Sequence, residues 1–274
     1  MKRQRIVITG GGSGLGRALA LEYARQGWRV AVLDRNRASA EAVAREVEEA
    51  GGKSLALACD VTDADAVGHA ATAIARGWHG LDVLVNNAGI AGSGTVAETP
   101  EEDWRRIMEV NLFGVVTMCR AFLPAMIRAG AGHVVNVASA AGFVSAPGMA
   151  AYNASKAAVI SLSESLRVEM SAHGIGVTVV CPSFFRTNLL EEFSGSEASR
   201  QFALRLMDKS ALSAEDVARQ VRRGVRKGEF MLVPHADARR VLVLKRLAPA
   251  VFFAAVRRQA AGFLAAQSAG EKKA

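Results

Sequence analysis

Residues 5–24 read RIVITGGGSGLGRALALEYA and join a short apolar run to a helical run through a glycine-rich turn. Glycines let the chain turn sharply and let its backbone approach a pyrophosphate without a Cβ in the way. The helix that follows presents free N–H groups and a positive dipole end to the anion. Because the turn lies between a strand and a helix, we interpret it as a cofactor-binding turn formed by Gly10, Gly12, Ser13, Gly14, Leu15 and Gly16.

The next apolar run ends at Asp34, a residue that bears on the choice between two dinucleotides. An aspartate at this place can accept hydrogen bonds from both hydroxyls of an adenosine ribose, and its charge repels a 2′-phosphate. Arg35 and Arg37 favour the opposite choice, because a guanidinium there could bind a 2′-phosphate. We predict that NAD is the preferred cofactor and that NADP is the alternative.

Short apolar runs alternate with longer Ala-rich amphipathic stretches over the first 180 residues. The apolar runs are nearly continuous, which is typical of strands buried on both faces of a parallel sheet. This alternation predicts an α/β protein with a Rossmann-type doubly wound parallel sheet in a single domain. The predicted strands are Arg5–Thr9, Arg29–Leu33, Ser54–Cys59, Val83–Asn86, His133–Val137, Gly176–Cys181 and Phe230–Val233, and the predicted helices are Gly14–Gln26, Ala38–Ala50, Asp63–Trp78, Glu102–Ala129, Ala151–His173 and Ala214–Lys227.

The alternation of strands and helices stops after Cys181. Residues 183–210 mix Phe, Leu and Met with Ser, Gly and charged residues, and we interpret them as a helical substrate flap beyond the carboxyl end of a strand. The predicted domain comprises residues 1–235. Residues 236–274 form a basic and apolar C-terminal extension that we expect to be helical and interrupted at Pro249.

Composition excludes several classes of protein. The chain has 274 residues, half of them hydrophobic, so it can bury a sizeable core and is not disordered. Three cysteines without a close pair exclude a disulfide-stapled scaffold, and five scattered histidines lack metal-ligand spacing, so we predict no metal site. The first residues do not resemble a secretory signal, and we find no run of the roughly 20 apolar residues that a membrane span needs. We therefore expect a cytoplasmic protein.

The net charge of +8 originates in the C-terminal part of the chain. Between Arg219 and Arg258 there are eleven Lys or Arg residues and two acidic ones, whereas the two signs nearly cancel elsewhere. We interpret the tail as a subunit-contact or pocket-covering helix whose cations reach past apolar side chains to water. The alternative is a peripheral attachment to an anionic membrane surface. Nucleic-acid binding is not expected, because no known reader motif is present.

A tyrosine and a lysine in one predicted helix suggest acid–base chemistry. Tyr152 and Lys156 are four residues apart, so both side chains project from one helix face. An ammonium beside a phenol favours the phenolate, and we expect it to lower the pKa of Tyr152. A tyrosine so tuned can take a proton from an alcohol or return it to a carbonyl. Ser139 follows a predicted strand and could hydrogen-bond the same substrate oxygen.

Together these motifs resemble the short-chain dehydrogenase/reductase family over about residues 5–235. The family's T-G-x-x-x-G-x-G loop matches Thr9, Gly10, Gly14 and Gly16, and its N-N-A-G motif matches Asn86, Asn87, Ala88 and Gly89. Its other motif residues match Asp60, Val61, Asn111, Ser139, Tyr152, Lys156 and Thr187. The chain departs from the family at Pro182-Ser183, where Pro-Gly is usual, and the serine adds a Cβ and a hydroxyl close to the nicotinamide.

The resemblance implies an NAD(P)-dependent oxidoreductase that moves a hydride between a substrate carbon and the nicotinamide ring. It implies that Tyr152 is the general acid/base and that Ser139 polarises the carbonyl or orients the alcohol. Lys156 would lower the pKa of Tyr152 and hold the nicotinamide ribose, and Asn111 would support a water-linked proton relay to Lys156. The predicted cofactor-binding residues beyond the glycine turn are Asp34, Arg35, Asp60, Val61, Asn87, Ala88, Gly89, Tyr152, Lys156, Pro182 and Thr187.

The resemblance also implies partners and a substrate. Members of the family form homodimers or homotetramers through two long helices, which here are Glu102–Ala129 and Ala151–His173. The predicted substrate wall is apolar and carries no Lys or Arg apart from Arg186, so we predict a hydrophobic secondary alcohol or ketone. The residues expected to form that wall are Phe143, Met149, Phe184 and Leu189.

Two other functions remain open from the sequence. One is an NADPH-dependent 3-oxoacyl reductase, which would use the same catalytic residues and differ at Asp34–Arg37. The other is a non-catalytic nucleotide-binding module. The module is disfavoured, because binding alone would not need all four predicted catalytic residues.

Overall fold

Continuous runs of Val, Ile and Leu form the centre of the sheet. The computed structural model describes residues 4–258. Successive residues of the first strand belong to two separate cores, since Val7 packs on one face of the sheet and Ile6 and Ile8 pack on the other. The seven strands are β1 (Arg5–Thr9), β2 (Arg29–Asp34), β3 (Lys53–Ala58), β4 (Val83–Asn86), β5 (Gly132–Val137), β6 (Ile175–Val180) and β7 (Met231–Leu232).

All strand pairs are parallel, and the spatial order is β3-β2-β1-β4-β5-β6-β7. The order reverses between β1 and β4, which is the switch point where open α/β sheets bind ligands. Ile8 of β1 pairs with Val85 of β4, so the residues that follow both strands lie side by side at the carboxyl edge. The predicted doubly wound parallel sheet is confirmed.

The helices flank the sheet, and most of them have the expected bounds within two residues. Capping side chains fix several starts: Asn36 accepts a hydrogen bond from Ser39 N–H, and Asp63 accepts from Asp65 N–H and Ala66 N–H. The helices are α1 (Gly14–Ala24), α2 (Arg37–Glu49), α3 (Ala64–Trp78), α4 (Glu101–Met108), α5 (Gly114–Ala129), α6 (Ala141–Val144), α7 (Ala150–Ser171), α8 (Glu197–Asp208), α9 (Ala214–Lys227) and α10 (Ala236–Leu247).

One predicted helix differs from the structure. The expected single helix Glu102–Ala129 consists of α4, a one-turn π segment (Glu109–Phe113) and α5. Together they are also long and apolar enough to cross a membrane by length and composition, so the expectation that no segment qualifies is wrong. Met118 and Met126 of α5 are buried in the core beside the sheet, and length and composition alone are weak evidence for a span.

The C-terminal part is helical, as expected. The predicted flap, residues 183–210, contains a 3₁₀ turn (Asn188–Leu190) and α8. α10 ends at Leu247, and residues 249–258 are helical again. The break lies at Ala248, because the proline that follows disfavours helical geometry in the residue before it. Residues 259–274 of the predicted extension lie outside the described residues, and a domain boundary at residue 235 stays a prediction.

Candidate active site

The glycine turn between β1 and α1 depends on glycine, as Gly14 and Gly16 show. Gly14 has a φ of +50°, in the left-handed region. A Cβ on Gly16 would lie 2.0 Å from the carbonyl oxygen of Gly10, far inside contact distance. The Asn87 side chain fixes the turn from the end of β4, because its Nδ2 donates to the carbonyl oxygens of Thr9 and Gly10 at 2.9 and 3.1 Å. The turn is therefore held through its main chain.

Asp34 braces the same turn from the end of β2. Its Oδ2 accepts a hydrogen bond from Gly12 N–H at 3.0 Å, and its Oδ1 accepts from Asn36 N–H at 2.9 Å. The carboxylate is thus fixed at the edge of the turn, where its charge opposes a nearby anion.

The two arginines that follow Asp34 already have carboxylate partners. Arg35 forms an ion pair with Glu192 of the flap, and Arg37 pairs with Glu41 at 2.8 Å. No local pattern in the sequence indicates the first pair, because Glu192 lies 157 positions from Arg35. Each guanidinium therefore has a carboxylate counter-ion, which would compete with a 2′-phosphate.

A cavity of about 430 Å³ runs along the carboxyl ends of the strands. The predicted site residues that line it are Gly10, Gly12, Ser13, Gly14, Leu15, Asp34, Arg35, Asp60, Val61, Asn87, Ala88, Gly89, Ser139, Tyr152, Lys156, Pro182, Thr187 and Leu189. The predicted site residues outside the lining are Gly16, Asn111, Phe143, Met149 and Phe184. Residues from the first strand to the flap therefore meet around one space that suits a dinucleotide.

Tyr152 lies in the first turn of α7, and its side chain is almost fully buried. Burial raises the pKa of its hydroxyl to about 12, and a hydrogen bond with Ser139 has a smaller, lowering effect. Ser139 is itself held in place, because its Oγ accepts from Ala141 N–H at 3.1 Å. The phenol is protonated at neutral pH and lies beside a second hydroxyl, so the pair can hydrogen-bond one oxygen.

Lys156 follows Tyr152 by one helical turn and faces the same cavity. Its Nζ donates to the Val137 carbonyl at 3.0 Å and lies 5.8 Å from the centroid of the Tyr152 ring. Burial lowers the pKa of the ammonium to about 8. The expectation that Lys156 brings the pKa of Tyr152 below its ordinary value is wrong for this structure, because desolvation of the buried phenol is the larger effect.

Asn111 is fully buried in the π segment, behind the cavity wall. Its Oδ1 accepts from Ile90 N–H at 2.9 Å, and its Nδ2 donates to the Ile90 carbonyl and to Ser155 Oγ, both at 3.0 Å. A Cβ on Gly89 would lie 3.0 Å from Asn111 Oδ1 and 3.2 Å from Lys156 Nζ. Gly89 thus lets both polar groups approach the same point. π segments of one turn are frequent at functional sites.

The predicted substrate residues divide into two groups. Phe143 packs against the main core, and its carbonyl accepts a hydrogen bond from Lys245 of α10 at 2.6 Å. The other three share an apolar cluster with Tyr152 and are Met149, Phe184 and Leu189. The structure therefore brings an apolar wall to Tyr152 but places Phe143 away from it.

A protein-family model described as short chain dehydrogenase matches residues 4–198. The chain belongs to this family. Its members are oxidoreductases that act on CH–OH groups with NAD or NADP. The fold, the glycine turn and the Ser139, Tyr152 and Lys156 arrangement agree with that assignment.

Similar proteins span several kinds of dehydrogenase. "Probable oxidoreductase EphD" of Mycobacterium tuberculosis is 40% identical over 187 residues, which are 68% of this chain and 31% of that protein. The chain thus spans about a third of the length of that relative. The 2-(R)-hydroxypropyl-CoM dehydrogenase of Xanthobacter autotrophicus is 38% identical over 217 residues, 77% of this chain and 87% of that enzyme. A short-chain dehydrogenase/reductase from Burkholderia phymatum, solved in complex with NAD, has a TM-score of 0.85 at 29% identity and covers 89% of this chain and 93% of its own.

One residue of this short-chain dehydrogenase was missed by the sequence reasoning. His235 Nδ1 accepts a hydrogen bond from Ser183 N–H at 3.1 Å, at the place where the family usually has glycine. His235 is the N-cap of α10, so the C-terminal helix begins at the cavity wall. Nothing in the local sequence signals this contact, because the two residues are 52 positions apart and His235 lies beyond the family's motifs.

Proposed function

We propose that this short-chain dehydrogenase interconverts a hydrophobic secondary alcohol and its ketone, with NAD as the preferred cofactor. The observation that carries the proposal is the meeting of Ser139, Tyr152 and Lys156 with the glycine turn around one cavity. A site that only binds a nucleotide has no need of a buried tyrosine beside a serine hydroxyl and a buried lysine.

The proposed roles of the catalytic side chains are those that the family resemblance implies, and the positions of Ser139, Tyr152 and Lys156 around one cavity support them. Tyr152 donates its hydroxyl proton to the carbonyl oxygen in reduction, and in oxidation its phenolate form accepts the proton of the alcohol. Ser139 hydrogen-bonds the same oxygen and orients it. Lys156 holds the nicotinamide ribose, and Asn111 supports a water-linked proton relay to Lys156. A dinucleotide held by these residues would supply the nicotinamide ring that gives a hydride to the substrate carbon or takes one from it.

The charges around Asp34 support NAD over NADP. The Asp34 carboxylate stands at the edge of the turn, and Glu191 and Glu192 line the same cavity. Arg35 is paired with Glu192, so its charge is offset before any ligand arrives. A 2′-phosphate would meet carboxylates at this position, whereas a ribose hydroxyl can donate to Asp34.

The surroundings of Tyr152 support an apolar substrate. Met149, Phe184 and Leu189 pack beside it. Arg186, the cation that lies between Phe184 and Leu189 in the sequence, forms an ion pair with Asp208 at 2.7 Å and is thereby occupied. A carboxylate or phosphate on the substrate would find no cation among the residues that line the cavity near Tyr152, apart from Lys156.

We also propose a homodimer or homotetramer in the cytoplasm. Phe113 in the π segment and Val168 on α7 are 50% and 74% exposed, on the two helices through which the family assembles. All three cysteines are free and buried, as is usual in a reducing compartment. The mass in solution by light scattering tests the assembly: a monomer contradicts it, and Val168→Ser is expected to weaken it.

The experiment for the reaction is a panel of secondary alcohols of increasing size, from short chains to steroid-sized compounds, assayed with NAD and with NADP. We expect kcat/KM to rise with substrate hydrophobicity and to be higher with NAD. Higher efficiency with charged substrates contradicts the substrate class. A preference for NADP with 3-oxoacyl substrates supports the acyl reductase, and cofactor binding without turnover supports the non-catalytic module.

A further inference from the structure

The C-terminal helices carry an apolar surface that the cofactor cavity does not use. Nine large apolar side chains are exposed in the described residues, and five of them lie within one short stretch of α10 and residues 249–258. This concentration exceeds the scattered exposure that is normal for a protein surface. The five residues, called the C-terminal patch here, are Val243, Leu244, Leu247, Val251 and Phe253.

The opposite side of these helices is fixed to the body of the protein. Ala238 and Phe252 are buried. Lys245 Nζ donates to the Phe143 carbonyl at 2.6 Å and lies 5.6 Å from the centroid of the Phe252 ring. The inner face is therefore satisfied within the chain, whereas Leu247 remains 81% exposed on the outer side. Burial in the protein's own core does not explain the patch.

Positive charge surrounds the patch. In residues 236–258 the sequence has six Lys or Arg and a single acidic residue, Asp237. Four of the cations are exposed and take part in neither an ion pair nor a hydrogen bond among the residues that the structure describes, whereas Arg239 donates to the Val233 and Pro234 carbonyls. These four are Arg240, Arg246, Arg257 and Arg258. Exposed apolar side chains between unpaired cations are the combination that lies at a lipid headgroup boundary.

We propose that the C-terminal patch docks on an anionic membrane surface. The apolar side chains enter the boundary between headgroups and acyl chains, and the cations gain from the negative potential of the leaflet. A second copy of the chain fits this surface less well. A two-fold contact would set the cations of one copy against the same cations of the other, with only Asp237 to offset them.

The patch lies on helices that contact the region of the catalytic serine. α10 contacts α6 through the Lys245–Phe143 hydrogen bond, and α6 begins two residues after Ser139. Docking would therefore place the catalytic side of the sheet near the lipid, where apolar alcohols and ketones are concentrated. The docking itself does not depend on the proposed reaction, because its test measures binding and not turnover.

The test is flotation of the full-length chain with vesicles of phosphatidylcholine alone and of phosphatidylcholine mixed with phosphatidylserine. We expect recovery with the anionic vesicles, little with the neutral ones, and a decrease as salt is added. A cation at an anionic surface contributes about fivefold to the partition coefficient, so Arg240→Gln with Arg246→Gln lowers it about 30-fold. Arg25→Gln with Arg45→Gln removes the same charge from the residue that follows α1 and from α2, and it leaves the partition coefficient unchanged.

The apolar part of the patch has its own pair of variants. Leu247→Ser is expected to lower the partition coefficient about tenfold. Val96→Ser, at a side chain that is 73% exposed elsewhere, has no effect. If the patch variants and their controls lower the partition coefficient equally, the attraction to the vesicles is non-specific and the proposal is overturned.

Two further outcomes also overturn it. If the protein is not recovered with anionic vesicles and the mass in solution falls in Leu247→Ser, the patch is a contact with a second copy of the chain. No recovery with anionic vesicles and an unchanged mass in Leu247→Ser shows that the patch binds neither a membrane nor a second copy.

Discussion

The glycine turn and the C-terminal arm, residues 183–258, border the same cavity but are held in place by different interactions. The turn is fixed by buried or half-buried hydrogen bonds to its main chain, from Asn87 and Asp34. Within the arm, α9 packs in the core beside α1 and β7 pairs with β6, whereas the flap is joined to the turn side by the surface ion pair of Arg35 with Glu192. Its start is held by the bond between Ser183 and His235.

This difference indicates where the protein tolerates change. Bonds to the main chain in a buried turn fix atomic positions, and a lost partner costs about 1–3 kcal/mol. A surface ion pair contributes about 0–1 kcal/mol, so the elements that it joins can shift. The chemistry of the family is therefore built into the turn and the strand ends. The arm, with its apolar side chains, is the part that we propose distinguishes substrates and surroundings.

The largest effect is expected in the turn, from Gly16→Ala. The new Cβ would lie 2.0 Å from the Gly10 carbonyl oxygen, which is backbone and cannot move without opening the turn. We expect loss of NAD binding, measured by calorimetry, and a large fall in the melting temperature.

Gly68→Ala in α3 is the matched control. A Cβ there has open space, so the free energy of unfolding should rise by about 0.5–1 kcal/mol. Normal NAD binding by Gly16→Ala would mean that the turn is not rigid, and the contrast with the arm would fail.

The next largest effect is on the free energy of unfolding, which depends on pH through a histidine in the sheet beneath the cavity. Burial lowers the pKa of His133 in β5 from 6.5 to about 4, and its ring contacts Thr178 Oγ1 at 2.8 Å. Between these values the unfolded chain binds more protons than the folded one, so the free energy of unfolding falls as pH drops from 6.5 to 4. The loss is roughly 3 kcal/mol at pH 4.

His133→Gln keeps a polar partner for Thr178 and removes the titration. Urea denaturation at several pH values should give a flatter dependence for the variant than for the wild type. Identical slopes for the two proteins would contradict the assignment to His133.

A smaller effect, on the preference for NAD over NADP, is expected where the turn meets the arm. Asp34→Ala would remove the proposed charge-assisted hydrogen bond to the ribose, together with the carboxylate that opposes a 2′-phosphate beside Arg35. The kcat/KM with NAD should fall about 10- to 100-fold relative to that with NADP.

Combining Asp34→Ala with Glu192→Gln should shift the ratio further, because Arg35 then loses its partner. Asp65→Ala, in the exposed first turn of α3, serves as the control with an unchanged ratio. An NAD/NADP ratio that Asp34→Ala leaves intact would show that the arm and not the turn selects the cofactor.

Much of the fold could be predicted, because the signals that specify it are local. β1 and β4 are short apolar runs with turn residues at their ends, and α9 has its predicted bounds, Ala214–Lys227. The π segment could not be foreseen, since it adds no unusual residue to an apolar helix. Its consequence is the pair of hydrogen bonds between the Asn111 side chain and the Ile90 main chain, which only the folded structure shows.

The candidate site was predictable to the extent that its residues follow strand ends. Strand ends meet at one edge of a parallel sheet, so Gly10, Asp34 and Ser139 were expected to converge. Phe143 was misplaced, because the direction of a side chain in a short helix depends on its packing. The pKa of Tyr152 was also misjudged, because spacing reports the nearby ammonium but not the depth of burial.

The most direct measurement compares Tyr152→Phe with the wild type for both NAD affinity and turnover of the best alcohol in the panel. The substitution removes only the hydroxyl, so NAD affinity should stay the same while kcat falls by at least about 100-fold. Turnover within a fewfold of the wild type, with NAD bound normally, would contradict the claim that Tyr152 transfers the proton.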